Sequence, residues 1–333
     1  MRKHIFIAIL MLMAITACTT SEKKSPSGKT VTTRSAPYEL LIVGDKEWLN
    51  TTNGMVFMEN INPEIEGLPQ SEPCFKSLSI NAYAFKKDYR AFANIIVFEI
   101  DKKYPKAEMR TAHDIYAHPQ TIMYLTAPDG RAMADLAEDQ GFHIVNVFVN
   151  SELKRKRSYL TKKHSTTVLN QVQKQFGCSI FVPEDINAVK TGTDFMWASS
   201  NNEDNRLNIC VYTYPFTADE DFSLQRFIAH RDTFMQRNIR GEEFDQYMSM
   251  NKDYVYSRNI TCDGHFVHEV RGLWRMENDM MGGPFVSYTQ VDTLTNRVIV
   301  TEGFVFAPDK KKRPYIRELE AALQTLKIEG KKE

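Results

Sequence analysis

The chain has 333 residues, 42% hydrophobic and 25% charged, with 42 Lys+Arg against 42 Asp+Glu and a formal net charge of zero. That balance lacks the basic footprint of a nucleic-acid-binding protein, and the composition excludes a disordered or collagen-like chain. The length fits one large or two small domains.

Arg2-Lys3 is followed by an uncharged apolar run, Ile5–Ile15, and small residues then lead to Cys18. This is the layout of a secretory signal. The run is about half of the ~20 residues a membrane-crossing helix needs. Ile15-Thr16-Ala17-Cys18 resembles the bacterial lipobox. The resemblance implies cleavage after residue 17 and acylation of Cys18, which makes the membrane a partner through a lipid anchor. One acyl chain binds only marginally, whereas a diacylglycerol with an N-acyl chain holds firmly. Loss of residues 1–17 removes Arg2 and Lys3 and leaves the remainder slightly acidic. No Asp follows Cys18, and Thr19–Lys24 carries the single acid Glu22. The expected place is therefore the periplasmic face of the outer membrane, in preference to the cell surface. Residues 18–36, rich in Ser, Thr and Lys, read as a tether with too little apolar surface to fold.

A first block is expected over 37–177. Glu39–Val43 reads as a strand, ended by Gly44-Asp45, and Asp45 can cap a helical turn at Lys46–Leu49. Asn53-Gly54 interrupts before a weak helix through Phe57. Pro69 and Pro73 bar helix and central strand, so Leu68–Phe75 is an extended connection. Strands follow at Phe75–Tyr83, Asn94–Ile100 and Thr121–Leu125. Asp129 caps a short helix, Arg131–Gln140, closed by Gly141. Phe142–Val149 is a strand by its apolar, β-branched run. Ser151–Phe176 is the longest helix, with Leu153, Leu160, Val168, Val172 and Phe176 on one face. Its basic runs, Lys154–Arg157 and Lys162-Lys163, form either a solvated face or a face toward anionic headgroups.

A second block is expected over 178–328, ahead of a frayed tail, 329–333. Cys178–Val182, Asp194–Ala198 and Leu207–Tyr214 are strands, the last two joined by a polar hairpin loop. Asp221 caps the helix Phe222–Ile239, whose stripe is Leu224, Phe227, Ile228 and Met235. Strands at Tyr254–Ile260, His265–Trp274, Phe285–Asp292 and Arg297–Phe306 precede a final helix started by Pro314. The fold class is α+β: largely antiparallel sheets packed with helices, in two sequential α/β sandwich-like blocks.

The internal pattern that stands out is Arg271-Gly272-Leu273-Trp274 with Met281-Gly282-Gly283-Pro284-Phe285. A turn with φ > 0 at Gly282-Gly283 could aim N–H groups at an anion, flanked by Arg271 and Trp274. The competing reading buries Trp274 in the core and pairs Arg271 with an acid. Gln70 and Glu72, held between prolines, form either a rigid polar edge or caps on neighbouring backbone. Cys74, Cys178, Cys210 and Cys262 read first as small buried hydrophobes. The pair best placed for a disulfide is Cys178–Cys210, both in strand-like runs. His265 and His268 are three apart in a strand and face opposite ways, so with Cys262 they make no metal site. No His-Glu-x-x-His, P-loop, dinucleotide or Gly-x-Ser-x-Gly motif is present, so no cofactor is expected.

The Arg271–Phe285 pattern, Trp48, Leu68-Pro69-Gln70, Glu72-Pro73, Phe75 and the closing Gly303–Pro308 with Arg313–Leu319 resemble a family of bacterial lipoproteins. It is catalogued as domain of unknown function four-eight-three-seven, common in Bacteroides-like bacteria. The resemblance brings no activity, ligand or catalytic residue. The function it leaves is a non-catalytic binding or assembly protein of the envelope, its partner an envelope protein or ligand. The alternative is a periplasmic hydrolase whose site assembles only in space.

Overall fold

The computed structural model describes residues 31–202 and 204–328. The expected signal peptide, Cys18, most of the tether and the tail lie outside them. Residues 31–36 are laid against the first block. The Val31 carbonyl accepts from His118 N, Arg34 N donates to Ala91 O, and the Ser35 hydroxyl accepts from Ala93 N at 2.9 Å.

The first block begins with β1 (Glu39–Gly44), α1 (Thr52–Ile61) and β2 (Lys76–Asn81). β1 and β2 pair in parallel, a pairing that requires the crossover α1 supplies. Thr51 caps α1 by accepting from Gly54 N. β3 (Asn94–Ile100), β4 (Glu108–His113) and β5 (Thr121–Ala127) complete a five-stranded sheet in the order β2-β1-β3-β5-β4. Only β4, at the edge, runs antiparallel. This sheet therefore departs from the antiparallel expectation. Its central strands β1, β3 and β5 are near-continuous apolar runs because both faces are covered. Leu40, Ile42, Ile96, Phe98 and Met123 face the helices, and Leu41, Val43, Ile95 and Ile122 face the opposite side.

α2 (Gly130–Lys162) is one helix of 33 residues. It absorbs the expected short helix, the expected strand Phe142–Val149 and the start of the expected long helix. The strand fails because Ile144, Val145, Phe148 and Val149 are buried while Phe142 is 75% exposed. That is the spacing of one helical face. Gly141 is no C-cap: a Cβ there would sit 2.7 Å from the Asn60 carbonyl oxygen, so it lets α1 and α2 approach. α2 ends before Ser165, whose hydroxyl caps α3 (Thr166–Phe176), and Gly177 closes α3 in the left-handed conformation.

The second block has β6 (Cys178–Ser179), β7 (Ile186–Gly192), β8 (Phe195–Ser200), β9 (Arg206–Pro215), α4 (Leu224–Asn238), β10 (Met248–Cys262) and β11 (His265–Met276). It closes with β12 (Gly282–Asp292), β13 (Arg297–Phe306), α5 (Arg313–Leu323) and β14 (Lys327–Ile328). Seven strands form an antiparallel sheet, β10-β11-β12-β13-β9-β8-β7, and β14 pairs with β6. Alternation along these strands builds two cores. Tyr212, Trp274, Phe285 and Phe304 face Phe227 and Met235 of α4. Ile209, Val286, Ile299 and Val305 face Ile316 and Leu319 of α5. That second core is continuous with the helix layer of the first block. Ser223 caps α4, in place of the expected Asp221, whose carboxylate instead accepts from Thr217 N.

Candidate functional site

Gln70, Trp274, Gly282 and Gly283 line one cleft of about 400 Å³, with Met280, Phe306 and Lys312. Its geometry is not that of an anion-binding turn. Gly282 and Gly283 are strand residues opposite Arg275 and Trp274, and neither has positive φ. Glycine is needed at 283 for proximity. A Cβ there would lie 2.1 Å from the Val305 carbonyl oxygen and 3.1 Å from Trp274 Nε1. That carbonyl accepts from Trp274 Nε1 at 3.1 Å. Trp274 is 2% exposed and packs edge-on against Phe304, so it belongs to the core. Gly283→Ala is expected to force β12 from β13 and cost about 1–3 kcal/mol, read as a lower urea midpoint.

Arg271 does not flank the cleft with Trp274. Three residues apart in a strand, the two point to opposite faces. Arg271 is buried on the α5 side, where Nε reaches Glu269 Oε1 at 2.9 Å and Nη2 reaches Glu320 Oε1 at 2.5 Å. Arg258 Nε donates to Glu269 at 2.8 Å and Arg317 Nη1 to Glu320 at 2.7 Å. The result is an alternating chain, Arg258–Glu269–Arg271–Glu320–Arg317. Burial pushes the Glu269 carboxyl up, but Arg271, with Arg258, overrides it and holds the pKa at about 2. Glu72 is a cap. Its carboxylate accepts from Lys312 N at 2.6 Å and Arg313 N at 3.2 Å. It satisfies N–H groups at the start of α5, where Lys312 provides no side-chain cap, and its charge suits a helix N-terminus.

Cys178 and Cys210 form no disulfide. Cys178 packs in the core shared with the first block and Cys210 in the core under α4. The strand expected around Cys210 is β9, but the sheet stands between the two thiols. Of the basic run, Arg155 pairs with Glu152 at 2.9 Å, Lys156 with Glu318 at 2.5 Å, and Arg157 with Asp263. The last two join α2 to the second block.

Sequence reasoning missed a further ion pair. Arg231 of α4 and Glu302 of β13 are both fully buried. Arg231 Nε lies 2.9 Å from Glu302 Oε2 and Nη2 lies 2.7 Å from Oε1. The guanidinium also sits 4.3 Å from the Phe285 ring centroid. The signal was present. Arg231 stands four residues from both Phe227 and Met235 on the α4 stripe, and Glu302 follows Val298 and Val300 on one face of β13.

The fold and its charged core define an α+β protein of two blocks that share one helix layer. Residues 165–325 match the family described as domain of unknown function DUF4837. Residues 34–161 match a second domain of unknown function, DUF8532. Arg271–Phe285 and Gly303–Leu319 fall in the first of these segments, and Trp48 with Leu68–Phe75 in the second. No curated protein matches the chain. Among solved structures, a protein of Bacteroides thetaiotaomicron VPI-5482 at 1.50 Å resolution is 10% identical, with a TM-score of 0.27. The match covers 46% of this chain and 46% of that one. The human StarD13 (DLC2) lipid transfer and protein localization domain is also 10% identical, with a TM-score of 0.18, over 41% of this chain and 88% of that one.

Proposed function

We propose that this chain is an outer-membrane lipoprotein, anchored through Cys18 on the periplasmic face, that binds an envelope protein or ligand and carries out no chemistry. The observation that carries this reading is Arg2-Lys3, the apolar Ile5–Ile15 and the lipobox-like Ile15-Thr16-Ala17-Cys18. Among the described residues no helix is long and apolar enough to cross a membrane. The paired ionic groups of the core agree with a structural role for them. Arg271, Arg231 and Glu269 each face an opposite charge within hydrogen-bond distance, which suits positioning better than proton transfer.

Cys18→Ala is expected to move the protein from the outer-membrane fraction to the soluble or inner-membrane fractions, because marginal attachment remains without the acyl chains. Fractionation with immunoblotting checks this, and retention in the outer membrane refutes the anchor. Cross-linking in intact cells with the wild-type anchor then tests for the partner, with partner capture lost in the Cys18→Ala form.

A further inference from the structure

A second cleft, about 570 Å³, opens where residues 33–38, α2 and the start of α5 meet. That volume is in the range of small-molecule sites. Four cations line it, Arg155, Lys156, Arg313 and Arg317, against the two carboxylates Glu152 and Glu318. Arg155 and Lys156 are held by those carboxylates, and Arg317 by Glu320 behind the wall. Arg313 is different. It donates to the Pro73 carbonyl at 2.9 Å, yet no carboxylate forms an ion pair with its side chain among the described residues. Burial pushes its pKa down, although Glu72 opposes this.

Two further lining residues carry polar atoms with no hydrogen-bond partner among the described residues: Tyr38 Oη and Arg317 Nε. Tyr38 is 7% exposed and Arg317 6% exposed. Buried donors are rarely left unmatched. The Arg317 guanidinium lies 5.7 Å from the Tyr38 ring centroid. Tyr38 also holds a left-handed backbone, φ 59°, a strained state for an aromatic residue that tends to persist at ligand sites. Arg313 and Arg317 are four apart on α5, so they project from one face. Pro37, Tyr159 and Pro314 supply apolar wall.

We propose that this cleft binds a small organic acid, its anionic group held by Arg313 and, once their solvent-shielded atoms turn toward it, by Arg317 and the Tyr38 hydroxyl, its apolar body against Pro37, Tyr159 and Pro314. The site goes beyond the anchoring role, and its test does not depend on where the protein resides.

Titration calorimetry on the full chain in detergent tests the site with three probes: benzoate, phenyl phosphate and benzylamine, the last reversing the charge on a similar ring. Benzoate or phenyl phosphate is expected to bind, and benzylamine not. Arg313→Gln is expected to weaken anion binding by about tenfold or more, as loss of a charge-assisted contact should. Tyr38→Phe removes a hydroxyl without a partner, so it should leave the melting temperature unchanged or raised while weakening the anion several-fold. This variant keeps the test sound if Arg313→Gln folds poorly. Equal binding of benzylamine, anion affinity unchanged in both variants, or no heat from either anion up to about 10 mM overturns the proposal.

Discussion

Glu302→Gln is expected to lower unfolding stability by about 3–5 kcal/mol at neutral pH, the usual consequence of stranding one member of a buried pair. The shape of the side chain is almost unchanged, so the loss is electrostatic. Arg231 has no exposed side-chain surface and cannot turn to water. Its guanidinium would keep the Phe285 face, but a cation–π contact contributes on the order of 2 kcal/mol when desolvated, less than the several kcal/mol that burying an uncompensated charge costs. Arg231 Nη1 already lacks a hydrogen-bond partner among the described residues, and the nearby Asp232 Oδ1, at 3.8 Å, is beyond hydrogen-bond reach. Removing both charges should behave differently. The double variant Arg231→Met, Glu302→Leu is expected to lie within about 1 kcal/mol of the wild type or above it, because apolar replacements of a buried pair avoid its desolvation. Urea unfolding of the wild type, both single variants and the double variant gives the coupling energy directly. A loss below about 1 kcal/mol for Glu302→Gln would mean that water reaches the pair.

How much of this is legible in the sequence differs between strands and helices. The central strands β1, β3, β9 and β13 are apolar runs, and their composition places them close to their observed bounds. The edge strands β4 and β7 leave no such mark. β7, Ile186–Gly192, is mostly exposed, with only Ile186 buried; it is held by the β8 backbone, and backbone pairing leaves no hydrophobic pattern. In α2, β-branched composition points to a strand while the period of the buried residues points to a helix, and the period prevails. Met133, Ala137, Ile144 and Phe148 are on the buried face, and Gly141 continues that stripe as the point of contact with α1. The candidate site is legible as a neighbourhood and less so as chemistry. Gln70, Trp274, Gly282 and Gly283 do meet at one cleft, although Gln70 is about two hundred residues distant in sequence from the others. The pairings of Arg271 with Glu320, Glu72 with α5 and Arg231 with Glu302 span segments whose docking no local pattern encodes.

The second large effect depends on pH. Glu269→Gln is expected to cost about 3 kcal/mol at pH 7, from a carboxyl whose ordinary pKa of 4.5 is held at about 2 in the fold, at about 1.36 kcal/mol for each tenfold change in proton affinity. The sign follows from the depressed value. The stabilisation is fully present above about 4.5, where the unfolded chain also carries the charge, and is lost as pH falls through about 2, where both states are protonated. The variant has no such titration at this position. Its deficit against the wild type should therefore shrink by about 2 kcal/mol between pH 7 and pH 3, while that of a purely steric variant such as Gly283→Ala stays constant. Urea unfolding of all three proteins at both pH values measures the difference. A deficit for Glu269→Gln that does not change with pH would show that packing, and not the charge shared with Arg271 and Arg258, is what Glu269 contributes to the junction between β11 and α5.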